Sequence, residues 1–267
     1  MFSFGFNVKP RKAGGVSYDA DAQTFFTAAS ITDTTQKSAV NQLVLDLKSA
    51  NIWTKMKAIY PIVGGSASSH AVNLKTPGTY NLTYATGMTH SSTGMTGNGT
   101  SGYANTSITP NTHLTNNNTH LSYYSRTDIN GTYFDMGLGY AGGQYMDLAL
   151  RLSGNIYSDQ YNNTTARITT ANTNSTGFYV STRTASNVFK LFKNNTQLGT
   201  TNTGASTGFT SLINPIIINA LLDNNVAAYF SPRQCAFASI GNGLTDTEAT
   251  NFYTAVQAYQ TTLSRQV

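Results

Sequence analysis

Residues 237–253, Phe-Ala-Ser-Ile-Gly-Asn-Gly-Leu-Thr-Asp-Thr-Glu-Ala-Thr-Asn-Phe-Tyr, decide how this chain is read. A short apolar strand runs into a helix with a strong start signal. Thr245 stands at the N-cap and Glu248 three residues on, the spacing at which each side chain satisfies the other's backbone N–H. Leu244 before the cap and Ala249 after it sit where a hydrophobic staple closes. Ala249, Phe252, Tyr253, Val256, Gln260 and Leu263 then keep helical spacing, with Gln260 the one polar member of the stripe.

The composition says what precedes this ending. Of 267 residues only 10% are charged, against about 25% in ordinary soluble proteins. Thr, Asn, Ser and Gly carry the polar load; Tyr is abundant (16), Trp53 is the single tryptophan and Glu248 the single glutamate. No Lys, Arg, Asp or Glu occurs from Thr76 to Ser125 or from Asn194 to Leu222. Disorder couples low hydrophobicity to high net charge, and here charge is missing while aromatics are present. Thr and Tyr suit pleated, half-exposed surfaces. The expectation is a β-rich chain with uncharged polar outer faces, as on virion parts, adhesins and carbohydrate-binding sandwiches.

The formal net charge is +5, but the cations are scattered and cluster only at Lys9, Arg11 and Lys12. Without a basic stripe interleaved with aromatics, nucleic acid is not an expected partner. Cys235 is alone, which excludes an intrachain disulfide framework, and its setting reads as a strand in the core. At the N-terminus the charge follows a short apolar run, the reverse of a signal peptide. No apolar run is long enough for a membrane span, so membrane insertion is not expected. An exterior-looking surface without an export signal fits a phage virion protein, made in the host cytoplasm and released by lysis.

Along the chain, residues 1–18 read as an extended arm in which Phe2, Phe4 and Phe6 alternate with small residues before Lys9, Arg11 and Lys12. These six residues are the expected anchor on a partner. Residues 19–65 read as a helical lead-in. Asp19 or Asp21 caps a first helix with Ala22, Phe25, Phe26 and Ala29 on one face. Asp33 starts a second, with Val40, Leu43, Val44 and Leu47 at i, i+3, i+4 and i+7. Ile52, Trp53, Met56 and Ile59 prolong the apolar supply to Pro61. The alternatives are a helical hairpin covering the sandwich or an oligomer interface. From Ala71 to Ile240, short runs of Thr, Tyr and aliphatic residues lie between Gly, Asn and Pro breaks, the rhythm of a sandwich. Strands are expected at 80–84, 102–108, 120–126, 133–140, 145–152, 166–170, 177–184, 188–193, 197–201, 216–220, 227–230 and 234–240, with a hairpin turn at Asn194-Asn195.

The closing strand and helix resemble those of laminin-G-like, concanavalin A-type β-sandwich domains. More widely, residues 19–65, the strings THLSYYSRT (119–127) and STRTASN (181–187), and residues 231–267 resemble a group of tailed-phage virion proteins. The resemblance implies a mainly β, concanavalin A-like (laminin-G-like) jelly roll over residues 66–267, with an N-terminal helical hairpin and a C-terminal helix. It implies a capsid decoration, head fibre or tail or collar appendage that contacts other virion proteins and displays the sandwich outward. A homo-oligomer such as a trimer is compatible with that role. The arm lies outside the resemblance.

Chemistry is sparse in this reading. Retaining glycosidases need two carboxylates flanking the scissile bond, and the Glu-x-Asp-x-Glu pattern of glucanases is absent. Asp135 and Asp147 fall on expected strands without a partner at strand spacing, and Asp128, Asp159 and Asp223 fall beside turns. The chain is therefore expected not to be an enzyme. Asp128 to Asp135 lacks the ligand density of a calcium loop. His70, His90, His113 and His120 have no zinc spacing, and His113 and His120 read as loop residues. No cofactor is expected. The remaining activity is recognition of a host-surface glycan, placed on a polar loop at residues 157–163 with Tyr157, Tyr161 and Asn162 as contacts.

Overall fold

The computed structural model describes residues 17–140, 143–162, 166–208 and 213–267. The expected anchor residues Phe2, Phe4, Phe6, Lys9, Arg11 and Lys12 lie outside the described residues. The helices are α1 (Ala20–Ala28), α2 (Thr34–Ser49), α3 (Ala67–Ala71), α4 (Pro110–His113) and α5 (Asp246–Thr262). The strands are β1 (Met56–Tyr60), β2 (Thr83–Tyr84), β3 (Met88–Ser91), β4 (Gly94–Gly97), β5 (Ala104–Asn105), β6 (Thr119–Ser125), β7 (Met136–Tyr140), β8 (Gln144–Leu152) and β9 (Asn155–Asn162). They continue with β10 (Ile168–Ala171), β11 (Gly177–Ala185), β12 (Val188–Lys193), β13 (Thr196–Gln197), β14 (Ile217–Ile218), β15 (Leu221–Asp223), β16 (Val226–Ala228) and β17 (Gln234–Gly241).

Two sheets form a jelly-roll-type β-sandwich. One runs β13-β12-β11-β6-β17-β4-β3, with β1 also on β17; the other runs β10-β9-β8-β7-β14-β5-β2, with the β15–β16 hairpin against β7. Pairing is antiparallel except where β15 meets β7. Alternation along each strand makes two cores. Leu121, Tyr123, Tyr179, Leu191 and Ile240 face Met146, Leu148, Leu150 and Ile156 between the sheets. Tyr124, Phe178, Val180 and Phe237 point the other way and are covered by Phe25, Val40, Leu43, Phe252 and Tyr259 of the helices. The helical hairpin thus packs on its own sandwich, in a layer with α5.

The helix ends follow from local sequence. The Thr245 hydroxyl accepts from Glu248 N–H while the Glu248 carboxylate accepts from Thr245 N–H at 2.8 Å, and Lys55 pairs with the same carboxylate at 2.6 Å. Asp33 accepts from Gln36 N–H at the start of α2. α1, α2 and α5 stop the same way: Ser30, Asn51 and Ser264 take left-handed φ of 54°, 59° and 55°. The next residue's N–H then reaches back to Phe26, Leu47 and Gln260, which closes three otherwise unpaired carbonyls.

This stop corrects the reading of residues 52–60 as helix. After Asn51 turns the chain, a short 3₁₀ turn at Trp53–Lys55 leads into β1. Ala58, Ile59 and Tyr60 are all buried because β1 has a core on each face, so its apolar run carries no alternation.

Thr245→Ala removes one half of the α5 cap. It is expected to lower unfolding stability by about 1 kcal/mol, read as an earlier urea midpoint with an unchanged slope.

Candidate functional site

The site lies on the outer face of the sheet that contains β7, β8 and β9. In β8, Met146, Leu148 and Leu150 face the inter-sheet core, so Tyr145, Asp147 and Ala149 face outward. In β9, Ser158 and Gln160 face inward and bond Ser181 of the opposite sheet, at 2.6 Å and 2.9 Å between side chains. Tyr157 and Asp159 therefore face out. The register sets Asp147 directly opposite Asp159 and Ala149 opposite Tyr157. Two carboxylates face each other across adjacent strands, an arrangement that is unfavourable when both are charged.

Both aspartates are fully buried although they sit on an outer face. Arg167 is their roof. Its Nε and Nη2 donate to Asp159 Oδ2 at 2.6 Å and 2.5 Å, and Nη2 stands 3.8 Å from Asp147 Oδ2. The last distance is beyond hydrogen-bonding reach, and neither Asp147 oxygen has a hydrogen-bond partner among the described residues. The guanidinium carbon lies 5.2 Å from the Tyr145 ring and 5.8 Å from the Tyr157 ring. Arg167 is thus held from below by charge and from the sides by π faces.

Glycine makes the room. Gly137 is the cross-strand partner of Asp147, and Gly139 that of Tyr145. A Cβ on Gly137 would stand 2.4 Å from Met146 O and 2.6 Å from Asp147 Cβ, and its φ of +140° disfavours any side chain. A Cβ on Gly139 would strike the Tyr145 ring at 2.4 Å. The alternating glycines of Met-Gly-Leu-Gly-Tyr (136–140) leave a trough along β7 in which Asp147 and Tyr145 lie.

The electrostatics follow from burial. Burial, reinforced by the neighbouring Asp159 charge, pushes Asp147 well above the carboxylate range, with Arg167 opposing. Burial also raises Asp159, to about 6, against the pull of Arg167 and a hydrogen bond from Asn162. Burial alone would lower Arg167, but Asp147 and Asp159 outweigh it and hold the guanidinium charged. Burial and like charge therefore favour the protonated form of Asp147, while Asp159 pairs with Arg167.

Beside the roof is a cavity of about 280 Å³ walled by Phe134, Tyr145, Arg167, Leu221, Asp223 and Tyr229 among others. Tyr229 is 43% exposed at the rim, in left-handed conformation, and its ring lies 5.5 Å from that of Phe134.

The structure corrects the glycan loop expected at residues 157–163. Residues 155–162 are strand β9, and Tyr161 and Asn162 are buried. Tyr161 belongs to the inter-sheet core and Asn162 donates to Asp159, so neither faces a surface ligand. Tyr157 is half-buried against Arg167. The expectation that Asp147 and Asp159 are isolated is corrected with it. Asp135 is also partnered: it forms a buried pair with Arg233 at 2.8 Å. Asp128 pairs with Arg151 at 2.9 Å.

His113 ends α4, and its Nδ1 accepts from Thr109 N–H at 2.9 Å. His120 is buried in β6, bonded to Ser239 and Asn242 O, and is not a loop residue; burial lowers it to about 4. His70 and His90 meet instead, Nδ1 to Nδ1 at 3.0 Å. Gly65 N–H donates to His70 Nε2, which leaves the His70 proton on Nδ1, facing His90. No group of three or more His, Cys, Asp or Glu positioned for a metal exists among the described residues.

No protein-family model matches the sequence, and no curated protein matches it either. Solved structures do share its fold. A Trypanosoma rangeli sialidase mutant displaying trans-sialidase activity matches with TM-score 0.58 at 11% identity, over 82% of this chain and 39% of that one. The same organism's sialidase as the covalent intermediate with 2,3-difluorosialic acid gives 0.54 at 10%, over 81% and 38%. A mutant of HCR/D gives 0.52 at 12%, over 76% and 53%. This chain spans about two fifths of the length of those sialidase chains. The likeness carries the fold. It also corrects the expectation that the chain is not an enzyme, to this extent: the fold recurs within chains of sialidases.

An acid whose folded pKa is raised stabilises the fold fully below its unfolded value, near 3.9, and stability falls as pH rises through the folded value. Stability should therefore decline as pH rises from about 4 to about 6, the value to which Asp159 is pushed, with the raised Asp147 carrying the decline further upward. Asp147→Asn keeps the shape without the proton. It is expected to flatten the fall in melting temperature as pH rises from about 4; an unchanged fall would place the charge penalty elsewhere.

Proposed function

We propose that this chain is a glycan-recognising β-sandwich carried on a tailed-phage particle, with the cavity beside Arg167 as its receptor site. The observation that supports this reading is the cavity wall itself. Tyr145, Phe134 and Tyr229 offer aromatic surface, and Arg167 is fixed by a buried acid pair, so the polar contact is oriented before a ligand arrives. Concave sites with mostly apolar walls and a few fixed polar groups are the usual form of small-ligand sites. Sugars present a hydroxylated edge and an apolar C–H face, which suits such a wall.

Display on a particle is supported by the uncharged Thr, Asn and Ser surface and by the resemblance of residues 19–65 and 231–267 to virion proteins. In this reading Phe2, Phe4, Phe6, Lys9, Arg11 and Lys12 attach the chain to other virion proteins. The cavity lies on the sheet opposite the helical layer, on the side of the sandwich away from the start of α1.

Calorimetric titration with host-surface polysaccharide fragments should give binding that Tyr229→Ala weakens about tenfold or more, by analogy with aromatic anchors elsewhere. Unaltered binding in that variant would remove the cavity from the proposal. Deleting residues 2–12 should abolish incorporation into particles while the far-ultraviolet spectrum and melting temperature stay those of the parent. Continued loading of the truncated chain would overturn the anchor.

A further inference from the structure

We infer that the cavity takes an uncharged pyranoside with two adjacent hydroxyl groups, and that Asp223 excludes acidic sugars. This rests on the glycan reading above. Two charged side chains line the cavity, Arg167 and Asp223. Arg167 spends Nε and Nη2 on Asp159, and its charge is balanced there. Its Nη1 has no hydrogen bond among the described residues, so its two N–H groups remain as donors. Among the described residues the Asp223 side chain is tied through Oδ1, which accepts from Asn224 at 2.9 Å, and Oδ2 remains as an acceptor.

Arg167, Asp159 and Asp223 together sum to one negative charge, and Asp147 cannot make that positive in either protonation state. A carboxylate or sulfate on the sugar would approach Asp223 with no unpaired cation to offset it. Like charges brought together in a partly desolvated site are strongly disfavoured. A hydroxyl group both donates and accepts. Two neighbouring hydroxyls can therefore give a proton to Asp223 and take one from Arg167 Nη1, while Tyr145 and Phe134 meet the ring's C–H face. The volume, about 280 Å³, is at the small end of ligand pockets, which fits one sugar unit of a chain.

The test is a nuclear magnetic resonance titration of the full chain with methyl glycosides of glucose, galactose, mannose and rhamnose, and with the methyl glycosides of glucuronic, galacturonic and mannuronic acid. At least one neutral hexoside should shift Tyr145 and Tyr229 resonances, with its uronic counterpart about tenfold weaker. Asp223→Asn should remove most of that difference. A uronate that binds as tightly as its neutral counterpart, at the same tyrosines, overturns the selectivity and leaves the glycan site standing. If no glycoside moves Tyr145 or Tyr229, the glycan reading fails and this inference fails with it.

Discussion

The arrangement depends on one buried ion pair. Arg233 and Asp135 are both fully buried, joined through Nη1 at 3.0 Å and 2.8 Å to the two carboxylate oxygens. Each charge is also satisfied by backbone or hydroxyl groups: Asp135 accepts from Leu150 N–H and Ser231 Oγ, and Arg233 donates to the carbonyls of Ile129 and Arg151. A buried pair repays its desolvation only when its remaining lone pairs and protons are used in this way. The pair ties the start of β7 to the start of β17, and it takes in β8 through Leu150 N–H and the Arg151 carbonyl. It fixes which residues of β8 face outward, and it holds the segment leading from Tyr229 to Arg233 beside Phe134. Tyr145, Asp147 and Tyr229 reach their places through it.

A second buried cluster, on the outer face, is left incompletely satisfied. The Asp135 carboxylate is fully bonded; neither oxygen of the Asp147 carboxylate has a hydrogen-bond partner among the described residues. The two sites use the same residue types to opposite ends. One secures the strands, and the other holds a buried acid pair and an oriented arginine under a cavity, at some cost in stability as pH rises. Departures of this kind from full polar satisfaction are expected where a fold carries function.

Much of the frame was legible in the sequence. The cap at Thr245 and Glu248, strand β12 and the turn at Asn194, where φ is 53°, follow from local rules. The site was not legible, for a physical reason. Asn-Ile-Tyr-Ser-Asp-Gln-Tyr-Asn (155–162) has the composition of a loop, yet it is a strand because Ser158 and Gln160 find partners on Ser181 across the core. Once β9 is read as a loop, Asp159 cannot be placed opposite Asp147, and the pair vanishes from view. The signal that could have found it is Gly137-Leu138-Gly139: glycine at alternate positions of an apolar strand marks a face where something else needs the space. β1 was hidden by the converse effect, since an apolar run with a core on both sides has no period.

The most direct measurement is a crystal structure of the full chain soaked with a concentrated mixture of neutral methyl hexosides. The account predicts sugar density in the cavity, its C–H face on Tyr145 or Phe134 and its hydroxyl edge between Arg167 and Asp223. Sugar bound only elsewhere on the sandwich, with this cavity empty, would contradict it.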